Sequence, residues 1–329
     1  MKKIIDTILY YDEVLILDLR MKKNFIFILI FFLILNNLSL AKDITIKKTS
    51  NLHLTAKPIK NHYMVDTEIV RAGKQSQKFV LPHGVCNGQD CKWSAQRTER
   101  KVKGLHTPTR KYGKPLYYAW SIYFPKEFTS DWVGSKALLG QVKMKGVGLP
   151  VWEMILISSN LKKGHGFFIR LPQSTVTSTM HCKNFKVGEW IDIIIKADYA
   201  KEKKSLENYK TFELWINGEY VKSCSHSYPL ISKKTLKESY SKNWSTSGKV
   251  DFRYGIYRPN VGQWLMSNNR VNKKVKYFRD PDGGEMVVTF PFRLNWEKKI
   301  PTATVYYDEI RVGKSKDEVD INLQSKPVD

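Results

Sequence analysis

Acidic side chains are scarce in this sequence: 31 Asp and Glu stand against 55 Lys and Arg, a formal charge of +24 over 329 residues. That balance disfavours basic partners and favours polyanions, among them acidic polysaccharides, anionic envelope polymers and extracellular DNA. Part of the lysine excess also goes with a general abundance of Lys, Asn and Ile. Helical periodicity is equally scarce. No stretch repeats an apolar 3.6-residue pattern over several turns, which argues against a helical bundle. Only four cysteines are present, with no Cys-x-x-Cys pair among them, so the usual zinc-site spacing is absent. No fixed-period repeat and no clear interdomain linker interrupts the chain.

One long hydrophobic run exists, and it lies near the start. Met21-Lys22-Lys23 forms a short basic segment, Asn24 to Leu35 is almost wholly apolar, and Ser39-Leu40-Ala41 offers small residues for a signal peptidase. This reads as a secretory signal over 21–41, cleaved after Ala41 and too short to favour a lasting transmembrane helix. Residues 1–20 then precede a second plausible start and read as a non-native extension. The expected product is periplasmic or secreted, monomeric, and off the membrane once the signal is removed. Its net charge is about +23, because residues 1–41 hold five basic and four acidic side chains. In an exported chain an even cysteine count reads as disulfides: Cys86 with Cys91 closing a tight loop, and Cys182 with Cys224 stapling neighbouring strands.

Residues 42–64 read as a polar lead-in, 65–315 as one β domain and 316–329 as a tail. From Val65 the pattern is many short β-type runs broken by Gly, Pro, Asn and Lys-rich turns. Glu213-Leu214-Trp215-Ile216-Asn217 alternates and runs into an Asn217-Gly218 hairpin signal. The expectation is an all-β fold, an antiparallel β-sandwich or jelly roll. Residues 228–249 and 259–285 read as basic loop insertions. The second mixes Arg270, Lys273, Lys274, Lys276 and Arg279 with Trp264, Tyr277 and Phe278, a composition suited to a sugar polymer or to single-stranded nucleic acid.

Three runs carry polar groups at the strand period of two. Phe252, Tyr254 and Ile256 fall on one face of Phe252–Arg258, and Arg253, Gly255 and Tyr257 on the other. At a rise of about 3.3 Å per residue, Arg253 and Tyr257 stand roughly 13 Å apart over a bare Gly255, which reads equally as a floor for a flat ligand such as a sugar ring and as the solvated face of an amphipathic strand. Arg97, Glu99 and Lys101 share one face of a second run, and Gln141 and Lys143 one face of a third.

In order along the chain come Cys86-Asn87-Gly88-Gln89-Asp90-Cys91, Arg97-Thr98-Glu99, Tyr117 to Lys126, Gln141-Val142-Lys143, Gly188-Glu189-Trp190, Phe252 to Arg258 and Val305 to Gly313. This series resembles the β-jelly-roll polysaccharide lyases of the family containing heparin lyase I and glucuronan lyase. Its Arg-Thr-Glu, Gln-x-x and Gly-x-Tyr elements are also similar to motifs of a related alginate lyase family. The resemblance implies β-elimination on a uronate polymer such as glucuronan, alginate or a glycosaminoglycan-like chain, with no cofactor required and no nucleic acid as partner. Such a site must neutralise the uronate carboxylate, remove the C5 proton and protonate the leaving O4.

By that resemblance Gln141 and Arg97 bind the carboxylate and Tyr257 handles the proton, with Arg253 near enough to lower the phenol's pKa. Arg253, Arg258, Glu99, Lys101 and Arg100 are the substrate-binding candidates. These lyases usually carry a His where this chain has Lys143. A lysine with an ordinary pKa near 10.4 is a poor base, so Lys143 reads as a further clamp. The base is then Tyr257 itself, or His181 or His165, each near a strand end. Asp308 is a candidate ligand for a structural Ca²⁺, against the alternative of an ion pair with Arg311. A non-catalytic carbohydrate-binding jelly roll is the main competing reading. A glycoside hydrolase ranks last, since Glu189 and Asp192 at a spacing of three fall on opposite strand faces.

Overall fold

The computed structural model describes residues 42–43, 52–54, 62–86, 89–92, 94–105, 114–144, 149–158, 165–174, 179–199, 208–231, 250–270, 277–279, 285–287 and 296–328. The signal segment and most of 228–249 lie outside these residues. Residues 41–329 form one compact unit. Among the described residues no helix is long and apolar enough to cross a membrane.

Two antiparallel sheets carry the fold, as expected. The first runs β13 (Glu219–Tyr220), β12 (Phe212–Ile216), β11 (Trp190–Ala197), β6 (Leu116–Tyr123), β17 (Ala303–Gly313), β4 (Ser76–Leu81) and β3 (Tyr63–Asp66), with β1 (Lys42–Asp43) also on β17. The second runs β10 (Thr179–Asn184), β9 (Gly166–Arg170), β8 (Trp152–Ile157), β7 (Lys136–Met144), β14 (Val250–Arg258), β5 (Gln96–Leu105) and β2 (Leu52–Leu54). A separate hairpin pairs β15 (Tyr277–Arg279) with β16 (Glu285–Val287). Among the described residues two short α-helices add to this, α1 (Gln89–Lys92) and α2 (Val261–Asn268). The segment 42–64, read as a lead-in, supplies β1, β2 and the start of β3. The segment 259–285, read as a loop, contains α2, β15 and the first residue of β16.

Period-two burial builds the core between the sheets. Phe252, Tyr254 and Ile256 of β14 face inward with Phe79 of β4, Trp120 of β6 and Tyr307 of β17, all buried to 1% exposure or less. Trp120 and Trp152 lie parallel, and Tyr118 meets Trp152 edge-on, arrangements that suit aromatic quadrupoles. The Asn217-Gly218 signal is a hairpin turn, both residues at positive φ (51° and 78°), joining β12 to β13.

A bulge sits at the centre of the second sheet. The β7–β14 register shifts between Tyr254 and Tyr257, and the β7–β8 register shifts between Leu138 and Gly140. Gly255 has φ +128°, and a Cβ there would lie 2.3 Å from Thr98 O and 3.0 Å from Phe79 Cδ1. Its bareness therefore answers to the β5 backbone and the core, not to a sugar ring over the open face. The Tyr307 hydroxyl crosses from the first sheet to within 2.8 Å of the carbonyl oxygens of Leu139 and Gly255, meeting acceptors that the bulge takes out of the ladder.

Candidate active site

Cross-strand pairing sets the outer face of the second sheet in rows, because directly opposed residues share a face. One row pairs Arg97, Tyr257, Leu138, Ile155, Phe168 and His181 across β5, β14, β7, β8, β9 and β10. The next pairs Lys101, Arg253, Gln141, Glu153 and Arg170. A third sets Asp251 opposite Lys143. Tyr257, Lys143, Arg253, Arg97, Glu99, Gln141 and Lys101 thus come onto one face.

Gln141 and Glu99 occupy the middle of that face. Gln141 Nε2 donates to Glu99 Oε1 at 2.6 Å, across β14. Both are sealed, at 0% and 1% exposure. Gln141, expected on the substrate carboxylate, is wholly buried here with its amide nitrogen on Glu99.

At one end stands the phenol. The Arg97 guanidinium carbon lies 4.0 Å from the Tyr257 ring centroid. Arg97 also donates to Asp90 through Nε (2.8 Å) and Nη2 (2.5 Å), and to Glu99 through Nη1 (3.2 Å). Burial opposes its charge, but Glu99 and Asp90 outweigh that and hold it protonated. Burial pushes the Tyr257 phenol up to about 12, with Arg97 opposing and Asp90, Glu99 and Glu153 adding. The expected lowering by Arg253 does not occur: the cation on the ring is Arg97, and desolvation outweighs it.

At the other end stand the amines. Burial lowers the Lys143 pKa, and the neighbouring charges of Arg253 and Arg97 lower it further, against Glu99 and Glu153. The ordinary lysine value assumed from sequence therefore does not hold here. Arg253 Nε is buried without a hydrogen-bond partner among the described residues. Lys101 pairs with Asp251 at 2.6 Å.

Four candidates fall elsewhere. Arg100 points between the sheets, where it donates to Gln77 Oε1 at 2.8 Å and Tyr63 Oη at 3.3 Å. Arg258 is wholly buried, donating to the carbonyls of Trp132, Pro301, Leu81 and Pro82. Strand alternation sends both to the face opposite Arg97 and Tyr257. His181 shares Tyr257's row but lies four strands away, roughly 19 Å at strand spacing, exposed and bonded to Asn184 at 3.0 Å. His165 packs between Phe128 and Phe185. Neither histidine is placed to act with Tyr257.

Asp308 lies in the first sheet. Its Oδ2 accepts N–H bonds from Arg71 and Ala72, and its Oδ1 one from Glu309. Those lone pairs face donors, which disfavours a cation at that spot; Glu309 is the residue paired with Arg311, at 2.6 Å. Among the described residues no group of three or more His, Cys, Asp or Glu is placed to hold a metal. Of the hydrolase pair, Asp192 is salt-bridged to Arg71 in the first sheet.

Both disulfides are formed as expected, Cys86–Cys91 and Cys182–Cys224. Two site residues were missed from sequence. Asp90 holds Arg97, and its signal was an acid inside the Cys86–Cys91 loop. Glu153, 4% exposed, meets Arg170 at 3.4 Å and Lys136 at 3.9 Å; its signal was the alternation Glu153, Ile155, Ile157.

No curated protein matches the chain. Among solved structures it is similar to an endo-β-1,4-glucuronan lyase from the fungus Trichoderma reesei, at 12% identity and a TM-score of 0.49, covering 85% of this chain and 96% of that one. It is similar to a sialidase at 9% identity and a TM-score of 0.44, covering 85% of this chain and 19% of that one. It is also similar to a family 7 alginate lyase in complex with substrate, at 10% identity and a TM-score of 0.44, covering 80% of this chain and 93% of that one. A family model described as polysaccharide lyase matches residues 42–311, a span that includes every residue of the face described above and both sheets but for the last two residues of β17. The chain belongs to the polysaccharide lyase family.

Proposed function

We propose that this lyase is exported and cleaves an anionic, uronate-containing polysaccharide by β-elimination. Its face supplies the three things the reaction needs. Arg253, with a buried Nε lacking a partner among the described residues, meets the uronate carboxylate as charge moves onto it during C5 deprotonation. Lys143, beside it, removes the C5 proton. Tyr257 protonates the O4 that leaves.

The observation that carries this reading is that strand pairing brings Arg97, Arg253, Lys143 and Tyr257 onto one face of the second sheet; burial there also pushes the Lys143 amine down and the Tyr257 phenol up. Such a split separates a base from an acid. Buried lysines shift readily and serve as bases for that reason. Export is supported by the signal-like segment 21–41 and by two disulfides.

The test is incubation of the mature protein with glucuronan, alginate, heparin, heparan sulphate and chondroitin, following near-ultraviolet absorbance of the unsaturated uronate product. Absorbance rising with at least one polymer is the expected result. Binding without absorbance from any of them rejects the reading in favour of a carbohydrate-binding jelly roll.

A further inference from the structure

Asp90 is a buried acid that the proposed chemistry leaves unused. It lies in α1, inside the loop closed by the Cys86–Cys91 disulfide, whose Cα atoms are 5.1 Å apart, and ahead of the start of β5. The chain is pinned on both sides of it. Ala95 N donates to Asp90 O at 2.7 Å and Ser94 N to Cys91 O at 3.2 Å, so the loop cannot turn without moving β5.

From that fixed position the Asp90 carboxylate takes a two-pronged bond from Arg97, at 2.8 Å and 2.5 Å. A fork of this kind sets the plane of a guanidinium as well as its place. Glu99 takes the remaining prong at 3.2 Å, and the guanidinium so oriented lies 4.0 Å from the Tyr257 ring centroid. The side chains of Arg97 and Asp90 are each 11% exposed, so water competes little for either.

We propose that Asp90 is a positioning residue: held by the Cys86–Cys91 disulfide, it fixes Arg97 on the Tyr257 ring and so aims the phenol. Catalysis is thereby tied to the oxidised state of that loop. The inference rests on the acid role given to Tyr257 above, and its test is built so that the two fail separately.

The full mature chain is made as wild type, Asp90→Asn, Asp90→Glu, Cys86→Ser/Cys91→Ser, and the last combined with Asp90→Asn. Three quantities are measured: kcat and KM on the cleaved polymer, thermal unfolding, and, without substrate, the ¹³C-tyrosine resonance of Tyr257, assigned by its loss in Tyr257→Phe. Asp90→Asn is expected to lower kcat about 10- to 100-fold, with KM and folding near wild type. It is also expected to move the Tyr257 resonance and shift its titration to lower pH, since one opposing carboxylate is gone. Asp90→Glu recovers part of the rate. The cysteine variant shows the same fall, and adding Asp90→Asn to it costs little more, as for groups acting as a unit. Wild-type kcat and an unmoved resonance in Asp90→Asn overturn the proposal. A folded cysteine variant at full rate overturns the link to the disulfide. Should the cysteine variant not fold, the two Asp90 variants decide. If wild type cleaves no polymer, the reading of function has failed, and the Tyr257 resonance alone decides the positioning.

Discussion

Burial raises the Tyr257 phenol to about 12, so at neutral pH the ring holds a proton to give and little phenolate with which to take one. The same face lowers Lys143 from the ordinary 10.5, burial being the main cause, so more of the amine is neutral at a given pH. Tyr257→Phe removes one hydroxyl and is expected to cut kcat by about 10²- to 10⁴-fold while leaving polymer affinity near wild type. Lys143→Arg keeps the charge but puts a group that does not deprotonate in the base's place. It is expected to lose turnover as severely, with Lys143→His recovering it. Full turnover in Lys143→Arg makes residue 143 a clamp and removes it as base. The pH profile has the matching sign: a base works deprotonated and an acid protonated. Activity therefore rises through a midpoint below 10.5 and falls only toward about 12. Much of this was legible by parity, since Arg97, Glu99, Lys101, Gln141, Lys143, Arg253 and Tyr257 sit on the faces that alternation assigned. Arg100 and Arg258 were misread because charge was weighed above parity. Their interior partners, Gln77 for one and four carbonyls for the other, come from segments that sequence does not mark as neighbours.

Strand β14 organises the second sheet, and its behaviour turns on one glycine. A side chain at Gly255 meets the Thr98 carbonyl at 2.3 Å in a backbone region that L-residues rarely adopt. Gly255→Ala is expected to destabilise the fold by about 2–4 kcal/mol, read as a lower midpoint in urea at similar slope. A midpoint equal to wild type means that the bulge is not needed in this form. The alternation in Phe252–Arg258 was visible in the sequence. The bulge was not, because register shifts arise from the partner strands, β7 and β5. Strand β4 is hard to read from sequence for a related reason. Its inward face begins with a polar residue, Gln77, which only makes sense once Arg100 and Tyr254 are seen bonding to it.

For the whole molecule, an excess of 24 positive charges favours polyanionic partners. Exposed charge of this kind is screened by salt, whereas the sealed Arg97–Asp90 fork is much less so. Stability has its own pH dependence through His226, which stacks on Phe212 and accepts the Tyr228 N–H at 3.2 Å. Burial holds its pKa at about 4, with Lys210 adding to the effect, against 6.5 when unfolded. The unfolded chain therefore binds the extra proton first, and stability falls as pH drops from 6.5 toward 4, by on the order of 3 kcal/mol. His226→Phe keeps the stacking and removes the titration. Its melting temperature is expected to vary less over that range, and a slope identical to wild type excludes His226 as the cause.

If the polymer is cut by elimination at a uronate, the masses of its new ends carry the mark. β-Elimination leaves a 4,5-unsaturated uronate at each new non-reducing end, lighter by one water than the end that hydrolysis leaves. Oligosaccharides from wild type are predicted to carry that unsaturated end, and none to form with Tyr257→Phe. Shortened chains with saturated ends contradict the account.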